Sequence, residues 1–542
     1  MDHIKRYEAW LEDPGIDEAF KEELRNLDSE EIEDAFFRDL AFGTGGLRGV
    51  MGPGSNRVNR YVIARATQGF ADYLNHHYSL PSAVIAYDTR AGSKDFAFEA
   101  ARVLVGNGIR TFVFDRVATT PELSYAVRAL EAQGGIVITA SHNPKAYNGY
   151  KVYHHEGYQL LPLEAREVIE RIEAIAFKEI KRGETGDIEF LGESFFNQYY
   201  EELVQLVKDY TLKELTLVYT PLNGAGARPV PEVLKRARFM KVFPVMTQMV
   251  PDPDFTSVPY PNPEDVAVFA QARVLGEEVG ADLLIATDPD ADRVGVLARH
   301  QGEYVAINGN EMGALLAEYL LKGGVLHPRI ITTIVSTHMI DAIAQRYGAR
   351  VDKTLTGFKY IGEMISGFDF SRETFLLGFE ESYGYLTHTH ARDKDAANAV
   401  LMIAMMAEEY RREGRTLIDA LETLHETYGY FSESLLNFTF EGSRGLGKMD
   451  EIIEAFRGLQ GLEFADQYAF GAIDYERDDT GLPREKVIKC LYPDGSWFAV
   501  RPSGTEPKLK IYVAVRGDSS ESAHKKSLAL QGALKGFVEK NQ

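Results

Sequence analysis

Asp288-Pro-Asp-Ala-Asp292-Arg293 sets three carboxylates on alternate residues, one threonine after the apolar run 283–286. On an extended or turning segment such carboxylates can converge on one hard cation through oxygen ligands. An EF-hand is excluded, because its sixth position is Arg293 instead of glycine and its twelfth is Arg299 instead of glutamate. Three carboxylates leave room for a phosphate oxygen, which suits Mg²⁺. The plainer reading of the segment alone is a solvated acidic turn; the arginine behind it favours a phosphate ligand.

A second chemical stretch is Thr139-Ala-Ser-His-Asn-Pro144, after the apolar run 136–138. The run predicts a short buried strand, and Pro144 forces a turn because it fixes φ and biases Asn143 away from helix. Ser141 is therefore expected at a strand tip, where α/β folds place their chemistry. Lys151 follows, a candidate to neutralise a phosphoryl group or shuttle a proton, although a lone lysine is more often a surface residue. No Gly-x-Ser-x-Gly elbow surrounds Ser141 and no Walker A sequence is present, which disfavours esterase and P-loop chemistry.

Three further loops offer polar groups. Arg501-Pro-Ser-Gly-Thr-Glu-Pro-Lys508 combines a planar guanidinium with the hydroxyls of Ser503 and Thr505 and the backbone of Gly504, a set suited to phosphate. Gly45-Gly-Leu-Arg-Gly49, within the glycine-rich stretch 42–52, would let backbone approach an anion beside Arg48. Gly378-Phe-Glu-Glu-Ser-Tyr-Gly384 supplies carboxylates and a hydroxyl, the groups that hold sugar hydroxyls.

The elements expected to position these loops alternate. Strands are predicted at 83–87, 111–114, 136–138, 215–219, 283–286, 294–297, 330–335 and 375–377. Helices are predicted at 61–74, 94–106, 311–321 and 393–409, the last largely apolar and buried. Such alternation predicts α/β sheets, restarted twice. After 440 the pattern changes to short, glycine- and charge-rich segments at 442–484. Strands at 487–491, 497–500 and 509–515 and a helix at 521–539 follow. The predicted division is 1–207, 208–325, 326–440 and 441–542, three α/β units and a smaller α+β unit. At 542 residues the chain is too long for a single core.

The net charge of −22 argues against nucleic acid as a bulk partner. No apolar run suits a membrane span, and no secretory signal opens the sequence. One cysteine, Cys490, excludes an intrachain disulfide framework and a cysteine-based zinc site. A cytoplasmic location is expected.

Together, Thr139-Ala-Ser-His-Asn-Pro, Asp288-Pro-Asp-Ala-Asp-Arg, Gly378-Phe-Glu-Glu-Ser-Tyr-Gly and Arg501-Pro-Ser-Gly-Thr-Glu-Pro resemble, in order, the four signature loops of the α-D-phosphohexomutase superfamily. Phe379-Glu-Glu-Ser and Arg392-Asp-Lys-Asp-Ala396 look like its phosphoglucomutase and phosphopentomutase-like branch. The resemblance implies three similar α/β domains with mixed sheets and a C-terminal TBP-like α+β domain around a central cleft. It implies a phosphoserine at Ser141, with Asp288, Asp290, Asp292 and the phosphoserine oxygen holding Mg²⁺. Arg48 and Arg293 would attend the transferring phosphoryl group, and Lys151 or, more weakly, His142 would serve as acid or base. Glu380 and Ser382 would bind sugar hydroxyls, Lys359 would help read sugar orientation, and Arg501, Ser503, Gly504 and Thr505 would hold the non-transferred phosphate.

The implied activity interconverts glucose 1-phosphate and glucose 6-phosphate through a glucose 1,6-bisphosphate intermediate, in a monomer or homodimer. A Gly-Glu-Met-Ser-Gly sugar loop, usual in the mannose-accepting branch, is absent, which favours glucose over mannose. Asn223 stands where many members carry histidine. Phosphopentomutase, phosphomannomutase and glucose 1,6-bisphosphate synthase use similar loops and remain alternatives, as does a metal-dependent phosphatase. A non-catalytic phosphosugar-binding protein would be expected to have lost one of these loops.

Overall fold

The computed structural model describes residues 2–541 except 44, 206, 208–210, 441, 459–462, 465–466, 469–470 and 503–507, and the side chains of 442–446, 463–464 and 467–468 also lie outside the description. The chain forms two compact units. The first comprises 1–308, 358–369 and 382–414, and the second 309–357, 370–381 and 415–542.

Two mixed sheets organise the first unit. In the six-stranded sheet the spatial order is Gly46–Val50, Tyr147–His154, Gly134–Ile138, Ser82–Tyr87, Arg110–Phe114 and Ile188–Leu191. The last four strands are mutually parallel; Tyr147–His154 pairs antiparallel with Gly134–Ile138, and the edge strand Gly46–Val50 pairs antiparallel with Tyr147–His154. Gly134–Ile138 is buried throughout, as expected of a strand covered on both faces. The helix Arg60–His77 begins where the Asn59 side chain accepts from the Tyr61 and Val62 amides. It buries Ile63 and Phe70 in the cluster that holds Ile85, Ile136, Ile138, Tyr150 and Val152.

The five-stranded sheet runs Glu303–Ile307, Val294–His300, Leu283–Thr287, Lys213–Thr220 and Phe239–Pro244. Leu283–Thr287 lies parallel to Lys213–Thr220 and antiparallel to Val294–His300.

In the second unit, Pro328–Thr333 lies between the parallel strands Arg350–Thr354 and Thr374–Glu380. A C-terminal antiparallel sheet runs Tyr430–Thr439, Lys508–Gly517, Trp497–Pro502, Ile488–Leu491 and Gly471–Asp474, with the helix Ser520–Lys540 against its first two strands. No helix among the described residues is long and apolar enough to cross a membrane.

Three local expectations change. The stretch 42–52 is not all loop, because Gly46–Val50 is an edge strand. Gly46 serves packing there: at φ 144°, an added Cβ would fall 1.8 Å from the Tyr150 carbonyl oxygen. The apolar helix starts later than 393, at Ala396, because the Asp395 side chain accepts from the Asn398 amide and caps it. Within 442–484, residues Gly442–Arg457 form one helix. Met449, Ile452, Ile453 and Phe456 recur at helical spacing and are buried, a stripe obscured by the glycines before it.

Candidate active site

The strand Gly134–Ile138 delivers Ser141 to a buried turn in which its φ is 51°, an unusual conformation for a residue with a side chain. Its amide donates to Thr139 Oγ1 at 2.8 Å. Its hydroxyl donates to Asp288 Oδ2 at 2.7 Å and lies 3.2 Å from His142 Nδ1.

The acidic turn ends the strand Leu283–Thr287. Ala291 adopts φ 53°, and its amide donates to the Asp288 carbonyl, curling the turn. Asp288, Asp290 and Asp292 are all buried, and one oxygen of each lies within 4.8 Å of the others. Asp288 Oδ1 accepts the amides of Asp292 and Arg293 at 3.1 and 3.0 Å. Asp290 Oδ2 accepts from Thr120 Oγ1 at 2.8 Å and Lys151 Nζ at 2.7 Å. Asp290 Oδ1 and Asp292 Oδ1 are buried without a hydrogen-bond partner. Buried carboxylate oxygens are costly to leave unsatisfied, and an all-oxygen donor set with open lone pairs fits a hard divalent cation. The three residues could hold a metal ion.

Two lysines offset this charge. Lys151 reaches Asp290 and, at 3.5 Å, Asp292 Oδ2; Lys394 lies 3.3 Å from the same Asp292 oxygen. Burial would push the Asp292 carboxyl up, but Lys394, Lys151 and Arg293 outweigh it and hold it well below the usual range. For Asp288, burial leads, Asp292 and Asp290 add to it, and its carboxyl is pushed well above that range. Burial alone would lower the Lys151 ammonium; Asp290 and Asp292 instead raise it, so it is charged at neutral pH.

Arg48, on the edge strand, donates to Asn143 Oδ1 at 3.0 Å and so joins the serine turn. Arg293 pairs with Glu264 and lies 3.9 Å from Asp292. Asn223 stitches its neighbourhood together, donating to the Val250 carbonyl and accepting from Ser257. The next residue, Gly224, passes so close to the acidic turn that an added Cβ would lie 2.4 Å from Pro289 Cα.

In the first unit, then, the structure gathers Ser141, His142, Arg48, Lys151, Asp288, Asp290, Asp292 and Arg293. Lys359 and Ser382 belong to the same unit. Lys359 lies in the first turn of the helix Phe358–Ser366, over the Tyr360 ring, with Glu164 among the charges around it. The second unit contains Glu380 and Arg501. Glu380 Oε1 accepts the Gly357 amide at 2.8 Å, and Arg501 Nε donates to Glu485 at 2.8 Å. Ser503, Gly504 and Thr505 lie outside the described residues.

Sequence reasoning passed over four contributors. Thr120 opens the helix Thr120–Ala129 and props Asp290. Lys394 sits inside Arg392-Asp-Lys-Asp, a charge cluster whose direction only the fold reveals; its neighbour Asp393 accepts from Tyr153, on the strand of Lys151. Glu264 follows a proline-rich stretch that gave no chemical signal. Arg90 follows the strand Ser82–Tyr87, and its strand-end position was the available clue.

Sequence profiles of the phosphoglucomutase/phosphomannomutase family match in chain order: alpha/beta/alpha domain I over residues 39–179, domain II over 194–302, domain III over 308–428 and the C-terminal domain over 435–529. A Staphylococcus epidermidis protein named phosphoglucomutase is 37% identical over 524 residues, covering 93% of this chain and 96% of that protein. One of the same name from Staphylococcus aureus is 38% identical over 506 residues, covering 90% and 91%. The crystal structure of a phosphoglucomutase/phosphomannomutase family protein from Burkholderia thailandensis matches the fold with a TM-score of 0.70 at 18% identity, over 92% of this chain and 97% of that one. The chain therefore belongs to the phosphoglucomutase/phosphomannomutase family of mutase enzymes, within the α-D-phosphohexomutase superfamily.

Proposed function

We propose that this chain interconverts glucose 1-phosphate and glucose 6-phosphate in the cytoplasm, with Ser141 as the phosphoryl carrier and glucose 1,6-bisphosphate as the intermediate. The observation that carries the reading is the Ser141 hydroxyl, 2.7 Å from an Asp288 oxygen in a turn that also buries two carboxylate oxygens without hydrogen-bond partners. Asp288, Asp290 and Asp292 would hold Mg²⁺ together with an oxygen of the phosphorylated serine. Bound there, the cation would offset charge on the phosphoryl oxygens.

The phosphoryl group leaves Ser141 as the bond from phosphorus to Oγ breaks and a bond to a sugar hydroxyl oxygen forms. The hydroxyl proton passes to a base, and in the second half the other phosphate returns to Ser141. Lys151, held as an ammonium by two aspartates, supplies positive charge and a proton for Oγ as it leaves. The proton returns to Lys151 when the serine is rephosphorylated; His142 Nδ1, 3.2 Å from Oγ, is the weaker alternative for both transfers. Arg48 and Arg293 steady the transferring group. Glu380 and Ser382 take sugar hydroxyls, Lys359 contributes to sugar orientation, and Arg501, Ser503, Gly504 and Thr505 hold the other phosphate. The four domains divide near residues 207, 325 and 440 in this reading.

Incubation with glucose 1,6-bisphosphate followed by peptide mass mapping tests the carrier. A single phosphate on the Ser141 peptide, discharged by glucose 1-phosphate, is the expected result; phosphate on another residue, or none, would overturn it. Turnover of glucose 1-phosphate beside ribose 1-phosphate tests the sugar, with glucose expected to be preferred.

A further inference from the structure

The serine turn is held by a side chain that takes no part in the chemistry above. Arg90 is buried, and its two terminal nitrogens donate to backbone carbonyls. Nη1 reaches those of Pro144 and Tyr147 at 3.0 and 3.2 Å, and Nη2 those of Ser141 and Asn143 at 2.5 Å each. Four carbonyls of one hairpin thus converge on one planar fork, a set that a compact ammonium does not span.

Asp88 faces the same guanidinium, with Nε 3.3 Å from Oδ2. It also accepts from the Arg90 amide at 3.0 Å, Ser93 Oγ at 2.6 Å and Thr139 Oγ1 at 2.7 Å. That Thr139 oxygen receives the Ser141 amide at 2.8 Å. Both backbone groups of Ser141 therefore lead to one Arg90–Asp88 pair. The Phe255 ring, 5.0 Å from the guanidinium carbon, covers it. A serine at φ 51° persists only where its surroundings over-determine the backbone, and here they do.

We propose, building on the reading of Ser141 as phosphoryl carrier, that Arg90, backed by Asp88 and Thr139, is the positioning element that fixes Ser141 Oγ for transfer. It acts through the backbone on either side of the serine and touches no reacting atom. Its loss therefore lowers the transfer rate and leaves sugar-phosphate binding in place.

The test uses the full chain with Arg90→Lys, Arg90→Ala and Thr139→Val. It measures the rate of Ser141 phosphorylation by glucose 1,6-bisphosphate and, separately, kcat and KM for glucose 1-phosphate. Arg90→Lys is expected to lower the phosphorylation rate and kcat together by about 100-fold, the scale of a misplacement near 1 Å. KM is expected to stay within about 3-fold, because uniform binding is kept. Millimolar guanidinium ion is expected to restore phosphorylation to Arg90→Ala in part. Thr139→Val, nearly isosteric, should cost about 10-fold in the same rate.

Wild-type phosphorylation in Arg90→Lys, a loss confined to KM, or no response of Arg90→Ala to guanidinium would overturn the proposal. Should the Arg90 variants fail to fold, Thr139→Val decides, and an unchanged rate there would also overturn it. Absence of phosphate on Ser141 in the wild-type protein would instead sink the carrier reading itself.

Discussion

The serine turn at 139–147 and the acidic turn at 288–293 each end a buried strand, and each holds a residue in left-handed backbone, Ser141 at φ 51° and Ala291 at φ 53°. Their polar groups are treated in opposite ways. The serine turn has four of its carbonyls satisfied by Arg90, and its central amide by Thr139. The acidic turn keeps two buried carboxylate oxygens without hydrogen-bond partners and has its charge offset by Lys151, Lys394 and Arg293. A turn whose carbonyls are held in this way is rigid before anything binds, which suits a group that must present one oxygen in one place. A turn with open lone pairs could take a hard cation, with the oxygens that lack hydrogen-bond partners among its ligands.

The strongest way to break the contrast is to remove the oxygen the rigid turn presents. Ser141→Ala should lower mutase turnover at least about 1000-fold with folding intact, because the acceptor of every phosphoryl group is gone. Steady-state turnover beside a thermal unfolding curve checks this, and substantial remaining activity would remove the serine from the mechanism.

Next in size, Asp290→Asn should cost about 100-fold or more and raise the Mg²⁺ concentration needed for half-maximal activity. Chelation of the wild-type protein should abolish turnover, and added Mg²⁺ should restore it. A variant with wild-type Mg²⁺ dependence would argue that the acidic turn holds no cation.

A smaller effect is expected from Thr120→Val, which deletes the hydroxyl 2.8 Å from Asp290 Oδ2. Mg²⁺ affinity should fall about 10-fold, with the metal-saturated rate little changed. A fall in the saturated rate alone would mean that Thr120 serves the serine turn instead.

The gentlest test lies in the capping box of the helix that Thr120 opens, where burial pushes the Glu122 carboxyl up to about 7. The folded chain therefore keeps a proton that the unfolded chain releases near the ordinary 4.5, so stability falls as pH rises between those values. Glu122→Gln should be more stable than wild type at pH 8, by at most about 3 kcal/mol, and similar to it below pH 4.5. Thermal unfolding at pH values across this range checks the sign; a variant whose advantage grew toward acid would refute it.

Much of the site is legible because its pieces are local. Alternate carboxylates on one turning segment converge wherever that segment lies, and Asp288, Asp290 and Asp292 do so. The apolar run before Ser141 is a strand, and the Asn-Pro turn follows from proline geometry. Elements failed where glycine serves packing: the strand Gly46–Val50 has the look of a loop because two of its five residues are glycine. The helix Gly442–Arg457 is hidden in the same way, its buried apolar stripe running from Met449 to Phe456 behind three glycines.

The sequence by itself determined the chemistry on offer: a serine at a strand tip, a carboxylate triad, a carboxylate-rich sugar-type loop and an Arg-Pro-Ser-Gly-Thr loop, in a fixed order along α/β units. It also determined which ready-made alternatives were missing, among them a nucleophile elbow, a Walker A loop and an EF-hand. Only the tertiary structure decided which groups meet. Ser141 and Asp288 touch across 147 positions, and Lys151 and Asp290 across 139, separations at which periodicity and spacing carry no information. The same holds for Arg90, whose side chain reaches back to carbonyls more than fifty positions ahead, and for Lys394, which shares an aspartate with Lys151. A side chain's chemical type is written in the chain, but its partner is set by how sheets and turns pack, and in a buried site the partner decides protonation, rigidity and readiness for a cation.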